Sequence, residues 1–110
     1  MRLEKDDQVA RWLEEFVPNS ENFDWDDGNT FKNLKHGFCL WDIESIFEDD
    51  FGFAGRIIDS DPHEWRGLIL GLTFDERRAA LIFTIRGNKI RPISCRPIRQ
   101  QEWEQYEKET

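Results

Sequence analysis

The stretch from Arg66 to Arg96 constrains this chain more than any other. Two β-rich runs, Arg78–Arg86 and Lys89–Arg96, are separated only by Gly87-Asn88. Gly and Asn tolerate positive φ, so the dipeptide predicts a two-residue hairpin turn. The first run contains Leu81-Ile82-Phe83-Thr84-Ile85, a concentration of β-branched and aromatic residues that favours strand. Ahead of it, Arg66–Thr73 is apolar at Leu68, Ile69, Leu70 and Leu72, and Phe74–Arg77 supplies a turn. Consecutive antiparallel strands are therefore expected across 66–96, ended by Pro97. Arg56-Ile57-Ile58 predicts a short strand before them, joined by a loop over 59–65 that contains Pro62. Phe23-Asp24-Trp25 reads as one more short strand.

Helical periodicity occupies the remainder. Val9, Trp12, Leu13 and Phe16 fall at i, i+3, i+4 and i+7, which predicts an amphipathic helix over 5–16, stopped ahead of Pro18. So short a helix is marginal alone and must pack on something. A second helix is expected over 30–36, with Phe31 and Leu34 on one side and Gly37 as its stop. A third is expected over 41–47, with Ile43, Ile46 and Phe47 inward, and a last one over 100–109 carries Trp103 and Tyr106. The fold class is α+β: an antiparallel sheet of about four to five strands with helices packed on one face, plus an extra N-terminal helix. At 110 residues the chain suits one domain, divided here into an N-terminal helical extension, 1–22, and the domain proper, 23–110. Nine Phe and five Trp supply much of its core.

The net charge of −8 argues against a general nucleic-acid binder, yet residues 86–99 hold Arg86, Lys89, Arg91, Arg96 and Arg99 with no acid among them. Such a strip holds an anion locally on an acidic body, or serves as a protected strand edge. No apolar run is long enough to span a membrane, and the opening MRLEKDDQ lacks a signal-peptide core, so a cytoplasmic location is expected. Cys39 and Cys95 have neither CxxC spacing nor partners and should stay reduced. Gly52-Phe53-Ala54-Gly55 lacks the spacing and Lys of a phosphate loop. Asp24, Asp26 and Asp27 read as a helix N-terminus rather than a Mg²⁺ site. No metal or cofactor is expected.

Arg66, Arg86, Arg91, Arg96, His36, His63, Glu64, Glu102 and Tyr106 make up an inventory suited to metal-free RNA cleavage. That reaction needs a base for the 2′-hydroxyl, positive donors for the phosphorane and an acid for the leaving oxygen. Arginine's planar fork matches phosphate oxygens. Taken singly, His36 reads as a helix C-terminal group, His63 as a loop residue and Tyr106 as a ring packed on the sheet. Arg91 and Arg96 differ in parity, so they start on opposite faces of one strand unless a bulge near Pro92 re-aims one. Arg96, at the strand end beside the helix of Glu102 and Tyr106, ranks ahead of Arg91.

Three stretches taken in order resemble one family. They are Phe23-Asp24-Trp25-Asp26 with Lys32-Asn33-Leu34-Lys35-His36-Gly37; the Glu44–Phe47 helix leading to Arg66-Gly67-Leu68-Ile69-Leu70-Gly71; and Ile90-Arg91-Pro92-Ile93-Ser94-Cys95-Arg96 followed by Glu102 and Tyr106. Across roughly 23–107 this resembles the BrnT toxins, whose fold is similar to RelE-type ribonucleases. The resemblance implies a cytoplasmic bacterial endoribonuclease, metal-independent, that inhibits translation by RNA cleavage and is neutralised by a BrnA-like antitoxin. Either a homodimer or a toxin–antitoxin hetero-oligomer fits it. By position it implies catalytic roles for Arg66, Arg91, Arg96, Glu102 and Tyr106, with Lys35 and His36 behind them in RNA binding, where the basic strip adds Arg86, Lys89 and Arg99. The competing reading is a non-catalytic protein-interaction domain on the same fold, presenting Trp12, Trp41, Trp65 and Trp103.

Overall fold

Five antiparallel strands follow one another across a single sheet: β1 (Leu3–Glu4), β2 (Phe51–Ile57), β3 (Gly67–Leu72), β4 (Arg78–Arg86) and β5 (Lys89–Pro97), in that spatial order. Four α-helices accompany them: α1 (Asp7–Glu14), α2 (Asp27–Leu34), α3 (Leu40–Ser45) and α4 (Gln100–Glu109). The computed structural model describes residues 1–59 and 63–109, except for the side chains of Gln105, Tyr106 and Glu109. Pro62 of the expected loop lies outside the described residues.

The α+β expectation holds, and so does the hairpin. Arg86 pairs with Lys89 across Gly87-Asn88, and Gly87 takes φ +63°, the positive first position of a II′ turn. Alternation along the strands divides the core. Ile69, Ala79, Leu81, Phe83 and Cys95 face Leu13, Ile43, Ile46 and Phe47. Leu68 and Ala80 point the other way, where Trp103 of α4 packs beside Ile57 and Ile98. Helices thus cover both faces rather than one, because both parities of β3 and β4 are apolar.

Three strand expectations need correction. β2 runs from Phe51 to Ile57, not over 56–58. Gly52 and Gly55 hide it in the sequence, yet Gly55 is required: it takes φ +139° at an irregularity in the register, and a Cβ there would lie 2.8 Å from the Glu4 carbonyl oxygen. That carbonyl belongs to β1, an edge strand that the charged N-terminus did not suggest. Phe23-Asp24-Trp25 forms an isolated parallel bridge, Phe23 with Ile90, rather than a strand. Its backbone still covers the edge of β5, where the Asp24 N–H donates to the Ile90 carbonyl at 2.8 Å.

α2 inverts the ordinary helix pattern. Phe31 and Leu34 are exposed, while Asn29 and Asn33 are buried. The reason lies in β5. Ile82 pairs with Ser94 and Phe83 with Pro92, so Ile93 is an extra residue without a partner on β4, a bulge. The two asparagines, one helical turn apart, satisfy the backbone around it. Asn29 Nδ2 donates to the Pro92 carbonyl at 2.9 Å, and Asn33 Oδ1 accepts from the Cys95 N–H at 2.7 Å. α2 itself begins with a reciprocal capping box between Asp26 and Asn29. It ends at Leu34, two residues earlier than expected, and Gly37 follows at φ +87°.

Candidate active site

The bulge has a direct effect on the basic strip. Arg91 pairs with Thr84 and Arg96 with Ala80, so both arginines start on the same face of the sheet despite their opposite parity in sequence. Four residue steps along β4, from Ala80 to Thr84, separate them by roughly 14 Å. They meet different surroundings.

Arg91 opens onto a cleft of about 240 Å³ between the start of α2 and the ends of β3, β4 and β5. Arg66, Arg86, Lys32 and Glu64 share it, with Gly28 and Asn29 forming the α2 wall. Arg91 is only 15% exposed and is held from below by acids: Nη2 lies 2.9 Å from Asp26 Oδ2, and Nη1 lies 3.6 Å from Asp24 Oδ1. The Asn29 backbone N–H, and with it the Arg91 guanidinium, holds the Asp26 carboxyl below the usual carboxylate range. Glu64 bridges the other two arginines, at 3.1 Å from Arg86 Nη2 and 3.5 Å from Arg66 Nε. The second contact is an ion pair by distance but not a hydrogen bond. Arg66 Nε is therefore a buried N–H donor with no hydrogen-bond partner among the described residues. An unsatisfied charged donor in a cleft suits an incoming anion.

The other expected residues lie elsewhere. Arg96 Nη1 is 3.6 Å from Glu102 Oε2 on α4, with both side chains about half exposed. Tyr106 is on the same helix, and its side chain lies outside the described residues. Lys35 and His36 are exposed past the end of α2, and His36 borders a second groove with Arg77 and Arg78. Lys89 sits exposed at the hairpin and Arg99 exposed between β5 and α4. Of the four tryptophans weighed as an interaction face, Trp41 is the exposed one, at 69%; Trp12, Trp65 and Trp103 are half-buried.

Sequence reasoning quoted Lys32 only within the family stretch and gave it no role, although the Asp26-x-x-Asn29 capping signal places it in α2, and it assigned the acids Asp24 and Asp26 no role toward Arg91. It also missed Arg77. That guanidinium lies 2.9 Å from Asp42 and 3.1 Å from Asp75, donates to the Gly37 carbonyl at 2.7 Å and stacks 4.5 Å over the Phe38 ring. No local motif announces it, since Gly37, Phe38 and Asp42 lie far from it in sequence. Burial works against ionisation of Asp42, but the Cys39 N–H and Arg77 outweigh it and lower its pKa. Thr73 and Arg77 lower that of Asp75. Both carboxyls thus titrate lower in the folded chain than in the unfolded one. Their stabilisation is fully present above about pH 4 and is lost as pH falls through their folded values. The urea midpoint should be level from pH 7 to pH 5 and fall below pH 4. Arg77→Met should lower the plateau and flatten that fall; an unchanged acid limb in Arg77→Met would show that the network is not its source.

No helix among the described residues is long and apolar enough to cross a membrane. No match to the chain is found among curated proteins. Residues 25–102, which include α2, the bulged β5 and every charged residue of the cleft except Asp24, match the family model described as the ribonuclease toxin BrnT of type II toxin–antitoxin systems. The chain belongs to that family.

Proposed function

We propose that this chain is an endoribonuclease that cuts single-stranded RNA without a metal ion, in the cleft of Arg66, Arg86 and Arg91. The observation that carries the reading is the Arg66 Nε–H, ion-paired with Glu64 but without a hydrogen bond, beside two further guanidiniums and Lys32. Four cations around one concavity supply the positive charge that a phosphorane needs. In the proposed reaction the 2′-oxygen attacks the adjacent phosphorus and gives its proton to Glu64, the carboxylate in the cleft. The bond from phosphorus to the 5′-oxygen breaks, and the Lys32 ammonium protonates that oxygen. The products are a 2′,3′-cyclic phosphate and a 5′-hydroxyl. Arg96, Glu102 and Tyr106 become an outer group along the path of the RNA, joined by Lys35, His36, Lys89 and Arg99, while Arg66 and Arg91 move to the centre. The cell-level reading is that cleavage inhibits translation in the bacterial cytoplasm until a BrnA-like antitoxin neutralises it.

The test is incubation of purified chain with end-labelled single-stranded RNA in excess EDTA, with growth followed on induction with and without the neighbouring gene. Fragments ending in cyclic phosphate, and growth arrest relieved by the neighbour, are expected. RNA that stays intact would replace this reading by the non-catalytic interaction domain, which the exposure of Trp41 at 69% and Phe74 at 72% favours. Cleavage that EDTA abolishes would remove the metal-free chemistry.

A further inference from the structure

Residues 1–24 lie ahead of the family match, yet Asp6 among them reaches the segment that carries Glu64 and Arg66. Asp6 uses its two carboxylate oxygens for two tasks. Oδ1 accepts from the Val9 N–H at 3.1 Å and caps α1, and Oδ2 accepts from the Trp65 indole N–H at 2.9 Å. Trp65 stands between Glu64 and Arg66, which carry the carboxylate of the cleft and its unpartnered donor. The indole is fixed on its other sides. Its ring lies 5.5 Å from that of Phe83 and 6.2 Å from that of Phe53, and its carbonyl accepts from the Thr84 hydroxyl. Its edge lies so close over Gly67 that a Cβ there would come within 2.6 Å of it. The scaffold behind Asp6 is firm as well, with Leu13 of α1 buried in the main core and β1 paired to β2.

We propose that Asp6 is a positioning residue, an N-terminal strut that sets Glu64 and Arg66 through Trp65. Its effect on catalysis rests on the nuclease reading above; its effect on geometry does not. Misplacing reacting groups by even an ångström is costly.

Asp6→Asn separates the two tasks. Asn caps helices as well as Asp, and its single amide oxygen can keep the Val9 N–H. Its NH₂ then faces the indole N–H, donor against donor. Trp65→Phe removes the same bond from the other side. The assay is steady-state cleavage of single-stranded RNA, run beside ¹⁵N spectra of the Glu64 amide and the Arg66 Nε–H. In each single variant kcat should fall roughly tenfold with KM within about twofold. The double variant should be no slower than the slower single one. Both resonances should move in Asp6→Asn, with the melting temperature close to wild type. Unmoved resonances, an unchanged kcat in Asp6→Asn against an active wild type, or an additive double variant would each overturn the proposal. Resonances that move in a chain whose wild type leaves RNA intact would uphold the strut and sink the nuclease reading instead.

Discussion

Arg66→Ala should slow RNA cleavage by roughly 10²–10³-fold, the usual loss when one well-placed transition-state donor is removed. The side chain is 30% exposed and packs no core, so the fold should survive. Its value lies in the forked positive charge of the guanidinium, whose buried Nε–H lies 3.5 Å from Glu64 and makes no hydrogen bond among the described residues. Arg66→Lys should recover little, because an ammonium cannot reproduce the planar fork. Arg91→Ala should be at least as damaging, for an additional reason: it leaves Asp24 and Asp26 without their cation at the rim of the cleft, where they repel the substrate. Arg96→Ala should be milder, because its partner is Glu102 on α4, away from the other three arginines. Single-turnover rates on one RNA decide the order. Arg66→Ala cleaving at the wild-type rate would move the reaction out of this cleft.

Asn33→Leu should destabilise the chain by about 3 kcal/mol, since a buried donor left unpaired costs about 1–3 kcal/mol and two bonds are lost together. Asn33 is 1% exposed. Its carbonyl oxygen takes the Cys95 N–H, and its amide donates to the Asn29 carbonyl at 2.6 Å. Leucine of similar size would strand the Cys95 N–H beside a thiol that burial already pushes up to about 12. For a domain of this size the melting temperature should fall by roughly 10–20 °C. The neighbouring Leu34→Asn, at a position 47% exposed, should change it little. Equal effects from the two substitutions in thermal denaturation would show that the bulge does not depend on its asparagines.

These two residues mark the limit of what the sequence discloses. The β4–β5 hairpin is legible because a two-residue Gly-Asn loop leaves few geometries and both flanking runs favour strand. The final helix and the inward set Ile43, Ile46 and Phe47 are legible because apolar spacing governs them. Asn33 is not, because an asparagine in a helix reads as surface, and only the bulge at Ile93 makes it core. The cleft is half legible. Arg66, Arg86 and Arg91 stand out as cations, but their convergence depends on the register shift, which no residue type signals. Asp24 and Asp26 meet Arg91 from a distant part of the sequence, while Glu64 lies two residues from Arg66 and 22 from Arg86. β2 is obscured for the opposite reason: Gly52 and Gly55 look like turn residues, and Gly55 is there to admit the backbone of β1.

That β1 contact also bears on how the molecule forms. β2 to β5 are a meander in which each strand pairs with its neighbour in sequence, a low contact order that favours rapid folding. The N-terminal segment is the exception. Leu3 pairs with Ile57, and Asp6 bonds Trp65 across 59 residues. During synthesis this segment leaves the ribosome before β2 and waits more than fifty residues for its strand partner. Its docking closes the longest loop in the sheet, and the entropy of that closure disfavours it until the strands it docks on are in place.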